Sequence, residues 1–157
     1  MATVDAITLL KADHKKVKGL LEDLQKTTER GPGKRKKLLA QVRTELEVHT
    51  TIEEEIFYPA FRDAVEKKEE RVMFFEAVEE HQVVKFVLPD ISKTDPSTEK
   101  FGAKAKVLKE LVMHHAKEEE KEMFPAAKKV LSSDELEQLG VRMAARKKEL
   151  LSKRPRR

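Results

Sequence analysis

The chain has 157 residues, of which 39% are charged, with no cysteine and a net charge of +4. This length fits one compact domain, and the missing cysteines exclude a disulfide framework, a thiolate metal site and a cysteine nucleophile. No apolar run approaches the ~18 residues of a membrane span, and the N-terminus lacks a secretory leader pattern, so the expected compartment is the cytoplasm with no membrane partner.

Few glycines and prolines and scarce β-branched runs favour helices over sheet. A first helix is predicted over 5–29, with the seam Ile7, Leu10, His14, Val17, Leu21 and Leu24 stepping by three and four. Gly31-Pro32-Gly33 breaks the pattern. A second helix is predicted over 34–66, with Leu39, Val42, Leu46, His49, Glu53, Ile56 and Ala60 in its seam, and Pro59 is expected to kink or end it. A third is predicted over 69–88, with Phe74, Val78, His81, Val84 and Leu88 in its seam; Pro89 marks its weakening and 94–97 the following loop. A fourth is predicted over 98–130, with Phe101, Ala105, Leu108, Val112, His115, Glu119, Met123 and Ala126 in its seam. A shorter fifth helix follows over 134–151, with Ser132 and Glu135 as a capping box. The fold class read from this pattern is all-α: an antiparallel up-down-up-down four-helix bundle with a short C-terminal fifth helix. Residues 1–151 form the single domain and residues 152–157 a basic tail. That tail carries no stacking aromatics and reads as a solvated terminus rather than a nucleic-acid surface.

One block occurs twice. Residues 49–60 read HTTIEEEIFYPA and residues 115–126 read HAKEEEKEMFPA, at an offset of 66. The segments following His14 and His81 repeat at an offset of 67. Each half therefore carries one lone histidine and one His-x-x-x-Glu, in which both side chains lie on one helix face. His14 and His49 are nearly equidistant from the 31–33 break, His81 and His115 from the loop near residue 97, and His49 and His81 from the expected turn near 65. In an antiparallel bundle all four histidines then share one level, pointing inward.

An ionised carboxylate in an apolar seam is costly unless paired or bound to metal, and no Lys or Arg in the same seams neutralises Glu53 or Glu119. Four histidines and two glutamates exceed the needs of a tetrahedral structural zinc. They suit two metals roughly 3.5–4 Å apart, with Glu53 and Glu119 as bridges. His114 and Glu118 share the i,i+4 spacing, but their stripe ends in lysines, so His115 is placed in the site and His114 beside it or on the surface. Glu54 and Glu120 are expected to adjoin the site or face solvent, and Tyr58 to serve packing.

At these residues the chain resembles the hemerythrin-like family, the HHE cation-binding domain, over roughly residues 5–130. The family pattern is a histidine, His-x-x-x-Glu-Glu, a histidine, and His-x-x-x-Glu-Glu on four successive helices. The resemblance implies a non-haem di-iron site in which His14, His49, His81 and His115 are terminal ligands and Glu53 and Glu119 bridges, with zinc or manganese loading by mistake. Oxygen carriers of the family have a further histidine where this chain has Lys85, which leaves a position open or filled by water, Glu79 or Glu80 and argues against simple oxygen transport. The Glu-x-x-His motif of ferritin-like sites is absent, since Lys11, Leu46, Val78, Leu111 and Val112 stand three before the five histidines. The expected function is a di-iron protein whose open position binds oxygen, peroxide or nitric oxide, for sensing, detoxification or iron handling. The alternatives are a catalase- or peroxidase-like di-iron enzyme, a metal-free structural or interaction bundle, and a redox sensor with its basic tail on nucleic acid.

Overall fold

A computed structural model of the chain describes residues 4–153 and is helical almost throughout. Helix α1 is Ala6–Gln25, capped by the Asp5 carboxylate on the Thr8 amide. Helix α2 covers residues 32–64, and α3 is Lys68–Ser92. Helix α4 covers residues 99–130, starting behind the Thr98 cap, and α5 is Ser133–Ser152. Helices α1 to α4 pack in a ring, each against the next and α4 against α1, while α5 lies outside along α1 and α2. The connections between them are short, so successive helices run antiparallel.

Several boundaries differ from the sequence reading. Helix α1 stops at Gln25 rather than near residue 29. Pro32 opens α2 instead of breaking the chain, because a proline's fixed φ and missing N–H suit the first turn. Pro89 lies inside α3, which runs on to Ser92. The fifth helix is not short: its 20 residues match α1 in length, and the Ser132–Glu135 capping box is formed. Arg154 to Arg157 of the basic tail lie outside the described residues.

Pro59 and Pro125 do not end their helices. Each follows a five-residue π turn, Glu53–Phe57 in α2 and Glu119–Met123 in α4. In these turns the Tyr58 N–H bonds the Glu53 carbonyl and the Phe124 N–H bonds the Glu119 carbonyl, one residue further back than in an α-helix. The wider turn lets the helix continue past a proline that offers no N–H. It also rotates the seam beyond it. Ala60 is only half-buried, while Phe57, Tyr58 and Phe61 are fully enclosed.

The core is stacked in apolar compartments. One, at the end that holds the π turns, includes Ile7, Leu10, Ile52, Phe57, Phe61, Phe124, Leu136 and Met143. A second includes Val17, Leu21, Val42, Leu46, Val84, Leu88, Leu108 and Val112. His14 falls between Leu10 and Val17, and His49 between Leu46 and Ile52. His81 falls between Ala77 and Val84, and His115 follows Val112. The four imidazoles thus form a polar layer between two hydrophobic blocks. At the far end the buried Arg35 ties the two connecting loops, donating to Thr27 Oγ1 and to the Pro96 and Thr98 carbonyls while lying over the Phe101 ring.

Candidate metal centre

Helix α1 contributes His14, α2 His49 and Glu53, α3 His81, and α4 His115 and Glu119, and all six side chains are buried at one level. They fall into two neighbouring groups that share Glu53: His14, His49, Glu53 and Glu119 on one side, and Glu53, His81 and His115 on the other. Within each group the ligand-capable atoms lie within 4.8 Å of one another. Glu53 Oε1 is 3.0 Å from His49 Nε2 and 3.1 Å from His81 Nε2. Glu119 Oε1 is 3.1 Å from His14 Nε2 and 3.4 Å from His115 Nε2. Each carboxylate therefore spans both groups, as a bridge must.

The outer nitrogen of every ring is anchored. His14 Nδ1 faces Glu120 Oε2 at 2.8 Å, and His49 Nδ1 faces Asp13 Oδ2 at 2.9 Å. His81 Nδ1 faces Glu54 Oε2 at 2.7 Å, and His115 Nδ1 faces Glu80 Oε1 at 2.7 Å. An ionised carboxylate accepts only, so each Nδ1 donates outward and each Nε2 is turned inward. His81 Nε2 and His115 Nε2 meet at 3.2 Å. His49 Nε2 and Glu53 Oε2 are buried with no hydrogen-bond partner at all, and the 3.0 Å approach of His49 Nε2 to Glu53 Oε1 lacks hydrogen-bond alignment. Orphaned, inward-facing ligand atoms of this kind are what a bound cation satisfies.

The electrostatics agree. Burial pushes the Glu53 carboxyl up, but the charge of His49 and hydrogen bonds from Glu119 and His81 hold it well below the usual range. Burial and the neighbouring Glu53 charge hold Glu119 above it. Without metal the two carboxylates share one site on unequal terms, and the histidines are driven to take up protons: His81 is pushed up to about 9 by hydrogen bonds and charges from Glu53 and Glu54 that outweigh its burial. A divalent ion does the same neutralising work with the imidazoles neutral.

The structure adds what the sequence did not show. Tyr58, read as packing, is fully buried with its hydroxyl in the second group. It donates to Glu119 Oε2 at 2.7 Å and lies 3.1 and 3.2 Å from His81 Nε2 and His115 Nε2. Burial and the Glu119 and Glu53 charges push this phenol well above its ordinary range, so it remains a proton donor. The matching residue in the other half is Phe124, whose ring stacks on His14 at 5.9 Å. One side of the layer thus carries a hydroxyl and the other a dry wall. Asp13 was also missed; it is held by Lys147 from α5 at 2.5 Å. Its signal was the repeat itself, because Asp13 and Glu80 occupy matching positions, each directly before or near a histidine they do not touch. Glu54 and Glu120 adjoin the site as ring anchors. Lys85 bonds Glu54 rather than entering the layer, Glu79 is exposed, and Glu80 anchors His115. His114 is 64% exposed, outside the layer, between Glu118 at 3.1 Å and Glu80 at 3.6 Å.

A family model described as the hemerythrin HHE cation binding domain matches residues 5–127. A crystal structure of an HHE cation binding domain-containing protein from Mycobacterium kansasii superposes with a TM-score of 0.82 at 30% identity, over 95% of this chain and 88% of that one. A DNA nickase of a Nostoc species is 28% identical over 142 residues, which are 90% of this chain. The match spans only 39% of that longer relative.

Proposed function

The chain belongs to the hemerythrin HHE cation-binding domain family, and from that premise we propose that the polar layer holds two iron ions and offers one open position to oxygen, peroxide or nitric oxide. Family membership and the buried His/Glu cluster together mark a metal-binding protein. The observation that carries the finer reading is the set of four carboxylate-anchored imidazoles whose Nε2 atoms converge on the Glu53 and Glu119 carboxylates in one buried layer. In this reading His14 and His49 would hold one ion and His81 and His115 the other, with Glu53 and Glu119 available to both. Bound iron would supply reversible electron exchange and a vacant coordination position. The protein supplies the rest. The four anchors fix ring tautomers, the two apolar compartments exclude bulk water, and Tyr58 presents a proton donor on the His81 side only.

Tyr58 also supports a second reading, in which the same centre decomposes peroxide, because breaking an O–O bond needs a proton delivered at the metal's edge. The two part on turnover: oxygen release from added peroxide marks the enzyme, and a stable ligand spectrum without release marks the sensor or store. The centre itself is tested by elemental analysis and an optical spectrum of protein produced in iron-rich medium. About two irons per chain are expected, falling below one in His49→Ala and Glu53→Ala. Unchanged metal content in both variants would overturn the assignment.

A further inference from the structure

The internal repeat makes the chain its own comparison. On the first half, the face beside the centre is formed by Leu9, Ile52 and Ile56, with the buried Val48 one turn before Ile52, and helix α5 closes it with Leu136, Leu139 and Met143 in the same apolar cluster as Leu9, Ile52 and Ile56. The repeat offsets of 67 and 66 carry those four positions onto Glu76, His114, Glu118 and Glu122. No helix covers this second face among the described residues, since α5 packs on α1 and α2. A cleft opens there instead, with Met73, Ala77 and Met123 on its floor and sides and Glu76, Glu80, Glu118, Glu119 and Glu122 around it. Its carboxylates grade inward: Glu76 and Glu122 are exposed, Glu80 and Glu118 half-buried, and Glu119 buried.

We propose that this uncapped cleft is the entrance by which a divalent metal ion reaches the centre, with Glu80, His114 and Glu118 the first ligands it meets. These three side chains come from two helices, and their ligand atoms lie within 4.8 Å of one another. Glu80 joins the outer cluster to the centre, one oxygen toward His114 at 3.6 Å and the other accepting from His115 Nδ1 at 2.7 Å. Beyond Glu119 lie the unpartnered Glu53 Oε2 and His49 Nε2, so the ion moves from exposed and partly satisfied ligands to buried and unsatisfied ones. Five carboxylates around a narrow opening concentrate cations and repel anions. The inference rests on the metal-centre reading.

The test uses the full chain stripped of metal, with Co²⁺ alone as probe. Tyr58 is the sole tyrosine and there is no tryptophan, so its fluorescence reports arrival at the centre. In stopped flow at low salt, His114→Ala/Glu118→Gln and Glu76→Gln/Glu122→Gln should each slow quenching roughly 5–10-fold, with an unchanged end-point of about two ions and a difference that shrinks as salt is added. Glu110→Gln/Glu137→Gln, acids elsewhere on the surface, should load at the parental rate. Parental rates in both cleft variants, or equal slowing in the control pair, would overturn the route while leaving the centre intact. A parental chain that takes up no Co²⁺ would remove the centre and the route together.

Discussion

At the scale of single residues, the four carboxylates behind the rings are as informative as the rings. A metal-bound imidazole is held in place by what its other nitrogen donates to, and losing such a partner typically weakens metal binding about 10–100-fold. Asp13 is the sharpest case, because it is buried and also accepts from Lys147. Burial pushes its carboxyl up, but His49 and Lys147 hold it below the usual range, so it is ionised and its charge is used. Asp13→Asn keeps the shape and removes that charge. In a stepwise chelator titration this variant should release one ion at about a tenth of the chelator the parent needs, with the second ion little affected; loss of both together would contradict the two-group geometry. The rings themselves give a pH prediction for the metal-free chain. His81 has a folded pKa of about 9, above the ordinary 6.5, and His49 and His115 shift the same way. A raised folded pKa means the native state binds more protons, so this stabilisation is complete below ~6.5 and is lost as pH rises through ~9. Thermal melts of metal-free protein should therefore fall between those pH values, by ~3 kcal/mol from His81 alone. Metal-loaded protein, whose imidazoles are already neutral, should show no such fall.

At the scale of the helix, periodicity revealed the bundle but not its irregular turns. The i,i+3,i+4 seams placed His14, His49, His81 and His115 inward, and all four are buried with Glu53 and Glu119. The same rule failed just past each glutamate, because a π turn adds a residue to the circuit and no hydropathy pattern reports that. Tyr58, five residues after Glu53, therefore swings into the layer instead of packing beside it. The prolines at 59 and 125 were the available clue, and they read as stops because a proline inside a helix usually is one. Arg35 escaped for another reason: besides Thr27 it binds the Pro96 and Thr98 carbonyls, more than sixty residues away and beyond any local pattern. Helix α5, expected to be short, runs for 20 residues and is closely seated: a Cβ on its Gly140 would lie 2.2 Å from the Val4 carbonyl oxygen and under 3 Å from the Asp5 and Ala6 backbone. Backbone cannot step aside as a flexible side chain does, so Gly140→Ala should cost about 1–3 kcal/mol, nearer the upper figure. It should also loosen Lys147 from Asp13. Equal thermal stability of parent and variant would show that α5 is not seated as described.

At the scale of the whole molecule, the chain sacrifices core continuity to a layer of ionisable groups. Two hydrophobic blocks press on Glu53 and Glu119, and two carboxylates buried side by side with only imidazoles and a phenol to meet them are costly to desolvate. Stability should then depend on the ligand to an unusual degree. A cation bound a thousandfold above its dissociation constant adds ~4 kcal/mol, and in a domain of this size 1 kcal/mol moves Tm by about 2–4 °C. Two ions should therefore separate the melting points of loaded and chelator-stripped protein by ~16–32 °C. Glu119→Gln distinguishes this from a general loss of fit. The amide keeps the volume and still accepts from Tyr58, but it carries no charge to bury and makes a poor bridge. Metal-free Glu119→Gln should melt at or above the metal-free parent, while its gain on adding metal shrinks to less than half. If the stripped variant instead melted well below the stripped parent, Glu119 would be a structural contributor in its own right, and the tension that links this bundle's stability to its metals would not exist.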